Sequence, residues 1–166
     1  MSDSILVGYA TRSGSTREVA NVIASKLREA GSVVDVLPLR AVKSLGGYRS
    51  VVVGAPLYMF RWHKDARAFL KQHRAALTDR VSAVFALGPI NDTEKDWQEV
   101  RRQLDKELAG FPWLTPITRV VFGGKFDPST LGFPYGLIPA LKKMPECDLR
   151  DWSAIREWAG RLSAKI

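Results

Sequence analysis

Six consecutive residues near the start of the chain, Thr11-Arg12-Ser13-Gly14-Ser15-Thr16, place four hydroxyl groups around one glycine. They follow an apolar run at residues 5–9 and precede a segment with helical periodicity at residues 17–30. A helix that begins after this turn presents free backbone N–H groups and the positive end of its dipole to an anion. The hydroxyls add donors, and Gly14 allows close backbone approach. The sequence therefore predicts a phosphate-binding turn.

The residues that this turn lacks exclude two classes of phosphate ligand, nucleoside triphosphates and dinucleotides. A Walker loop ends in Gly-Lys-Ser/Thr, and no lysine stands here. A dinucleotide fingerprint needs Gly-x-Gly-x-x-Gly after the first strand, and Gly8 has no partner at that spacing. A turn of hydroxyls without an inward cation suits a monophosphate held by the helix dipole and hydrogen bonds.

The elements that would position this turn alternate between strand and helix. Strands are predicted at residues 4–9, 33–37, 50–54, 81–87 and 117–122, with helices at 17–30, 64–76, 94–109 and from 151 onwards, where Asp151 is the N-cap. This alternation predicts an α/β fold, a doubly wound parallel sheet of five strands with helices on both faces.

Ligands of such sheets lie beyond the carboxyl ends of the strands. Three predicted loops leave those ends, at residues 10–16, 55–62 and 88–92. The first is rich in hydroxyls, the second is apolar and aromatic, and the third reads Gly-Pro-Ile-Asn-Asp. Their convergence predicts one binding site with three different chemical surfaces.

Bulk composition sets further bounds. The 166 residues are expected to form one domain, residues 1–166, with an irregular insertion at about 125–150. The net charge of +8 favours an anionic partner, although charge spread over the surface for solubility is equally compatible with it. No dense Lys/Arg block indicates nucleic acid. The single cysteine, Cys147, and the absence of a long apolar run are typical of a cytoplasmic protein.

The turn matches the pattern [ST]-x-[ST]-G-x-[ST] at every defined position, Thr11, Ser13, Gly14 and Thr16. With the two further loops at the matching spacing, nearly the whole chain resembles the flavodoxin family. The resemblance implies the strand order 2-1-3-4-5 and FMN as cofactor. It implies that residues 11–16 bind the phosphate and that two loops enclose the isoalloxazine ring, through Pro56, Leu57, Tyr58, Met59, Phe60, Trp62, Gly88, Pro89, Asn91 and Asp92.

Aromatic faces are what the ring requires, and Tyr58, Phe60 and Trp62 supply them. The alternative for Phe60 or Trp62 is packing under the sheet as a core residue. So short a loop cannot place all three rings in the core.

A narrower resemblance rests on residues 56–73 and on the pair Asp151-Trp152, which are similar to quinone-dependent protoporphyrinogen dehydrogenases. That branch also carries extra residues before the last helix, but here the insertion is shorter and less basic. The resemblance implies an FMN-dependent dehydrogenase with a quinone acceptor. The propionates of such a substrate would suit Arg61, Lys64 and Arg67, beside the aromatic loop.

The apolar stretch at residues 137–144, with Lys142-Lys143, is compatible with peripheral contact on an anionic membrane face, where a quinone resides. Its alternative is an ordinary loop folded back on the last helix. No metal site is predicted. His63 is the one candidate for a proton relay near the ring, against the alternatives of a helix cap or a solvated side chain.

Two other functions stay open from the sequence. One is a flavodoxin-like electron carrier without a substrate of its own, although such carriers are typically acidic and this chain carries a charge of +8. The other is an NAD(P)H:quinone reductase of related fold, for which the sequence contains no nicotinamide motif.

Overall fold

The computed structural model describes residues 4–58 and 61–166, apart from the side chains of Tyr58 and Tyr135. The strands are β1 (Ser4–Tyr9), β2 (Val33–Pro38), β3 (Tyr48–Tyr58), β4 (Arg61–Trp62), β5 (Val81–Leu87), β6 (Thr118–Phe122), β7 (Lys125–Phe126) and β8 (Cys147–Asp148). The α-helices are α1 (Ser15–Glu29), α2 (Lys64–Gln72), α3 (Arg74–Thr78), α4 (Glu94–Ala109), α5 (Pro139–Lys142) and α6 (Trp152–Ser163).

The five long strands form a parallel sheet in the order β2-β1-β3-β5-β6, which confirms the predicted α/β fold and strand order. The first strand has β2 on one side and β3 on the other, so the chain reverses its winding direction at β1. This reversal opens a crevice at the carboxyl ends of β1 and β3, next to the turn at residues 11–16.

Two hydrophobic cores lie on opposite faces of the sheet. On one face α1 and α6 pack over residues such as Ile5 and Val7. On the other face α2, α3 and α4 pack over residues such as Leu6 and Val53. Because side chains alternate along a strand that is covered on both sides, the central strands are apolar at nearly every position.

The third strand is longer than the sequence predicts. The expected strand ends at residue 54, whereas β3 continues to Tyr58 and pairs with the antiparallel β4. Pro56 and Leu57 are therefore strand residues, not loop residues: Pro56 pairs with Leu87 of β5, and Leu57 pairs with Trp62 of β4. The helix expected over residues 64–76 is divided at His73 into α2 and α3.

The segment between β6 and α6 contains short ordered pieces. Its two ends pair as the antiparallel strands β7 and β8, and the helix α5 lies between them. The backbone N–H of Leu149 donates to Gly124 O at 2.9 Å, and the thiol of Cys147 donates to Ile90 O at 3.2 Å. The predicted N-cap at Asp151 is confirmed, because its carboxylate accepts from the N–H of Ala154 at 3.0 Å. Within residues 4–58 and 61–166, no helix has the length and apolarity to cross a bilayer.

Candidate functional site

The turn at residues 11–16 has the geometry of an anion cradle. The Thr11 hydroxyl oxygen accepts from the N–H of Gly14 at 2.9 Å, and α1 begins at the next residue. Gly14 has a φ of 94°, in the left-handed region that favours glycine. The tight turn directs the first N–H groups of α1, which have no partners within the helix, toward the carboxyl end of β1.

Thr16 carries a buried polar group that a ligand in this turn could pair with. Its side chain is buried with 0 % exposure, and its hydroxyl has no hydrogen-bond partner among the described residues. An unpaired buried hydroxyl costs about 1–3 kcal/mol, which a phosphate oxygen at the helix N-terminus would recover. The residues present therefore fit a phosphate group.

An apolar cavity of about 170 Å³ adjoins this turn. The predicted segments contribute Ser15 from the turn, Pro56 and Leu57 from β3, and Gly88 from the end of β5. The remaining wall comes from residues not named as ring contacts in the prediction, although Ile90 lies within the predicted loop at 88–92: Leu87, Ile90, Gly124, Lys125, Phe126 and Leu141. The fold thus brings the three predicted segments to one place and adds the segment after β6.

A second cavity of about 170 Å³ lies against Arg12 and Ser13, and it shares Lys125 and Phe126 with the first. Sequence reasoning missed this contribution from β7. The position of β6 in the fold could have indicated it: β6 ends at the same edge of the sheet as β1, β3 and β5, so the residues that follow β6 lie near the site. Gly124 keeps this wall close, because its N–H donates to Pro89 O at 2.9 Å.

Trp62, predicted to present its ring to the cofactor, is instead a core residue. Its side chain is 1 % exposed, packs among the residues under the sheet, and donates its indole N–H to Ala55 O at 2.9 Å. The antiparallel pairing of β4 with β3 causes this placement, since it folds the hairpin back over the core.

The other predicted ring contacts divide into two groups. Met59, Phe60 and the side chain of Tyr58 lie outside the described residues. In the loop after β5, Pro89 is buried, while Asn91 and Asp92 are exposed and line neither cavity. Asp92 instead accepts from the indole N–H of Trp97 at 2.9 Å.

His63 caps a helix. Its Nδ1 accepts from the N–H of Asp65 at 3.0 Å, at the start of α2. Burial lowers the pKa of His63, and the nearby cations Arg12, Lys64 and Arg40 act in the same direction, while Asp65 opposes them. A neutral imidazole with Nδ1 as acceptor carries its proton on Nε2. In the structure His63 is therefore a helix cap, which was one of the alternatives. Its role as a proton relay stays a prediction.

The three cationic residues predicted to bind the substrate, Arg61, Lys64 and Arg67, do not line one common cavity. Lys64 lines a cavity of about 310 Å³ together with Arg17, Arg40 and His63, on the flank of the phosphate turn. Arg17, Arg40 and Lys64 form no ion pair with the described residues. Arg61 is exposed and Arg67 is half-buried, and neither lines this cavity.

Comparison with known proteins agrees with this architecture. The model of the Flavodoxin domain family matches residues 6–135, well over half of the chain. Protoporphyrinogen IX dehydrogenase [quinone] from Escherichia coli (strain K12) is 26 % identical over 169 residues, which cover 95 % of this chain and 93 % of that protein.

Solved structures show the same fold. A flavodoxin from the domain Archaea has a TM-score of 0.62 at 14 % identity, covering 98 % of this chain and 97 % of the other. Flavodoxin 1 from Bacillus cereus has a TM-score of 0.60 at 17 % identity, covering 98 % and 95 %. With the sheet order, the unpaired Thr16 hydroxyl at the start of α1 and the family match together, the chain belongs to the flavodoxin-domain family and takes FMN as its cofactor.

Proposed function

We propose that this protein is an FMN-dependent oxidoreductase that dehydrogenates a porphyrinogen-like substrate and passes the electrons to a quinone. The observation that carries the proposal is that the insertion at residues 125–150 forms part of the wall of the candidate site. Phe126 and Leu141, from the segment between β6 and α6, line the apolar cavity beside the phosphate turn. The E. coli protoporphyrinogen IX dehydrogenase aligns over 95 % of the chain, so its similarity is not confined to one motif.

In this proposal the chain holds FMN at two places. Ser13, Ser15 and Thr16 with the first N–H groups of α1 bind the phosphate, and the apolar cavity takes part of the ring. When bound, FMN supplies the redox chemistry. Pro56, Leu57 and Leu141 exclude water from the ring, since apolar walls leave no competing hydrogen-bond partners.

Cationic side chains near the site suit an anionic substrate. Lys64 is joined by Arg17 and Arg40 around one cavity, and Arg61 lies exposed on the hairpin. We include Arg61, Lys64 and Arg67 as the residues that attract substrate carboxylates. The net charge of +8 acts in the same direction by steering anions toward the protein.

The insertion also supports peripheral contact with the inner face of the cell membrane from the cytoplasm. Phe133 and Leu137 are 86 % and 69 % exposed, and Lys142 and Lys143 are exposed nearby. Apolar side chains with adjacent lysines suit an anionic bilayer interface, which is where a membrane quinone is reached.

The test is an anaerobic assay with FMN-loaded protein, protoporphyrinogen and a menaquinone analogue, followed by porphyrin fluorescence. The expected result is porphyrin formation well above the flavin-free control. Porphyrin formation no faster than in that control would contradict the proposal. FMN-loaded protein that exchanges electrons with a flavodoxin reductase yet forms no porphyrin would identify an electron carrier instead.

The cationic residues are tested by changing Arg61 and Lys64 together to Glu. The expected result is a raised KM for the anionic substrate with unchanged flavin content. The matched control changes Lys106 and Lys165 to Glu, since both are exposed and lie near the C-terminal ends of α4 and α6, at the opposite edge of the sheet. An equal rise of KM in both variants would assign the effect to net charge alone.

A further inference from the structure

Arg150 is a nearly buried cation at the end of the insertion. Its side chain is 3 % exposed, and its guanidinium lies over the Trp152 ring at 4.7 Å. Nε and Nη2 donate to the two carboxylate oxygens of Asp148 at 2.9 and 2.8 Å. Nη1 donates to Glu18 Oε2 at 3.1 Å and to Ser15 O at 3.3 Å. One guanidinium therefore holds two separate segments of the chain.

Those two segments both belong to the cofactor site. Ser15 and Glu18 are the first and fourth residues of α1, which follows the phosphate turn. Asp148 lies in β8 and pairs with Lys125 of β7, in the segment whose Phe126 lines both cavities. Movement of the insertion away from the apolar cavity proposed to take the flavin ring (the ring cavity) would pull on the first turn of α1.

The charges make this link specific for a phosphate. Glu18 places a carboxylate in the first turn of α1, where a bound phosphate also carries negative charge. The Arg150 guanidinium, itself 3 % exposed, neutralises that carboxylate at 3.1 Å. The hydrogen bond to Asp148 raises the pKa of Arg150 above its ordinary value, so the side chain stays charged.

We propose that Arg150 is a positioning residue that couples the phosphate turn to the insertion and makes the protein prefer FMN over riboflavin. This inference rests on the phosphate-binding role proposed above for residues 11–16. By linkage, an insertion held over the ring cavity strengthens phosphate binding, and phosphate binding holds the insertion in place to the same extent.

A purely structural ion pair makes a different prediction. It would lower the stability of the fold and reduce the affinities for FMN and riboflavin by the same factor, because both flavins share the ring and the ribityl chain. Coupling through the phosphate affects FMN alone. The ratio of the two dissociation constants therefore separates the two roles.

The first test is Arg150→Met in the full chain, with both flavins titrated by fluorescence quenching. FMN affinity is expected to fall on the order of tenfold, a typical coupling factor, while riboflavin affinity stays constant. The matched control is Arg28→Met, which removes the same charge and a part-buried hydrogen bond, Nη2 to Val34 O at 2.6 Å. Arg28 lies near the other end of α1, about 20 Å away by helix rise, so its loss should leave the ratio unchanged.

The second test does not depend on the folding of the Arg150 variant. Glu18 is 55 % exposed at its side chain, and Glu18→Gln removes the carboxylate without removing Arg150. FMN affinity is expected to rise and riboflavin affinity to stay constant. Hydrogen exchange across residues 125–149 adds a direct readout: FMN should slow exchange more than riboflavin does in the natural protein, and this difference should vanish in Arg150→Met.

The outcomes are separable. Equal changes in FMN and riboflavin affinity for Arg150→Met or Glu18→Gln would overturn the coupling, as would an equal shift of the ratio in Arg28→Met. A natural protein that binds riboflavin as tightly as FMN would instead overturn the phosphate-turn assignment, and this inference with it.

Discussion

Replacing Thr16 with valine is expected to stabilise the flavin-free protein and to weaken its binding of FMN. Valine keeps the branched shape of threonine and exchanges only the hydroxyl for a methyl group. Thr16 is 0 % exposed and its hydroxyl has no partner among the described residues, so the flavin-free protein carries a desolvated polar group. The two effects of one substitution therefore have opposite signs.

The magnitudes follow from the burial of this hydroxyl. Removing an unpaired buried hydroxyl recovers about 1–3 kcal/mol of the free energy of unfolding. In the proposed FMN complex the same hydroxyl donates to a charged phosphate, a hydrogen bond worth about 1.5–3 kcal/mol. Its loss weakens FMN binding by about 10- to 150-fold. Riboflavin, which lacks the phosphate, should bind with unchanged affinity.

The assay combines urea unfolding of the flavin-free protein with FMN and riboflavin titrations by fluorescence quenching. Thr16→Ser is the control, because it keeps the hydroxyl and removes one methyl group. It should bind FMN normally and lose about 1 kcal/mol of stability from the missing apolar contact. Two results would refute the reasoning: a flavin-free Thr16→Val protein less stable than the natural one, or an FMN affinity that valine leaves unchanged.

Further predictions test the other parts of the site. Trp62→Phe should lower the free energy of unfolding by about 1–3 kcal/mol, since it removes the buried hydrogen bond from the indole N–H to Ala55 O and leaves a smaller ring in the core, with flavin affinity unchanged by titration. Because burial lowers the pKa of His63 below its ordinary value of 6.5, protonation favours the unfolded chain. Stability in urea should be complete above that value and fall as the pH drops through the lowered pKa, and His63→Asn should remove this part of the fall. Gly124→Ala places a Cβ 2.8 Å from Gly88 O, so it should weaken FMN and riboflavin equally.

Each of these predictions has an outcome that contradicts it. A changed flavin absorption spectrum in Trp62→Phe would return that ring to the cofactor site. A His63 pKa measured by NMR at or above 6.5 would remove the basis of the predicted pH dependence. A loss of affinity confined to FMN in Gly124→Ala would show that Gly124 acts on the phosphate turn rather than on the ring cavity.

Elements whose signals are local could be predicted from the sequence. The bounds of β5 and α4 agree with the prediction, because each combines an unbroken apolar pattern with clear end signals. Asp151 caps α6 as predicted, since its partner lies only three residues away. The parallel sheet and its order follow from the alternation of strands and helices and from the resemblance to flavodoxins.

Elements that depend on distant partners could not be predicted. An aromatic residue in a loop suits both a ring site and a core, and only the pairing of β4 with β3 places Trp62 in the core. The sequence predicts a loop at Leu57 because Pro56 interrupts the local strand pattern, and only the pairing of Leu57 with Trp62 shows that the strand continues. In both cases the contact that decides the structure joins residues of different strands, and the local pattern of residue types does not show it.

By itself, the sequence predicted a phosphate-binding turn, and it determined the fold around that turn. A hydroxyl-rich turn between a strand and a helix is complete within residues 5–30, so its chemistry is visible without any other contact. Only the tertiary structure decided that the segment after β6 lines the apolar cavity beside this turn and that Arg150 reaches Glu18 and Ser15, 132 and 135 residues away. Contacts across such distances depend on how the sheet and helices pack, because no local pattern of residue types encodes which surfaces meet.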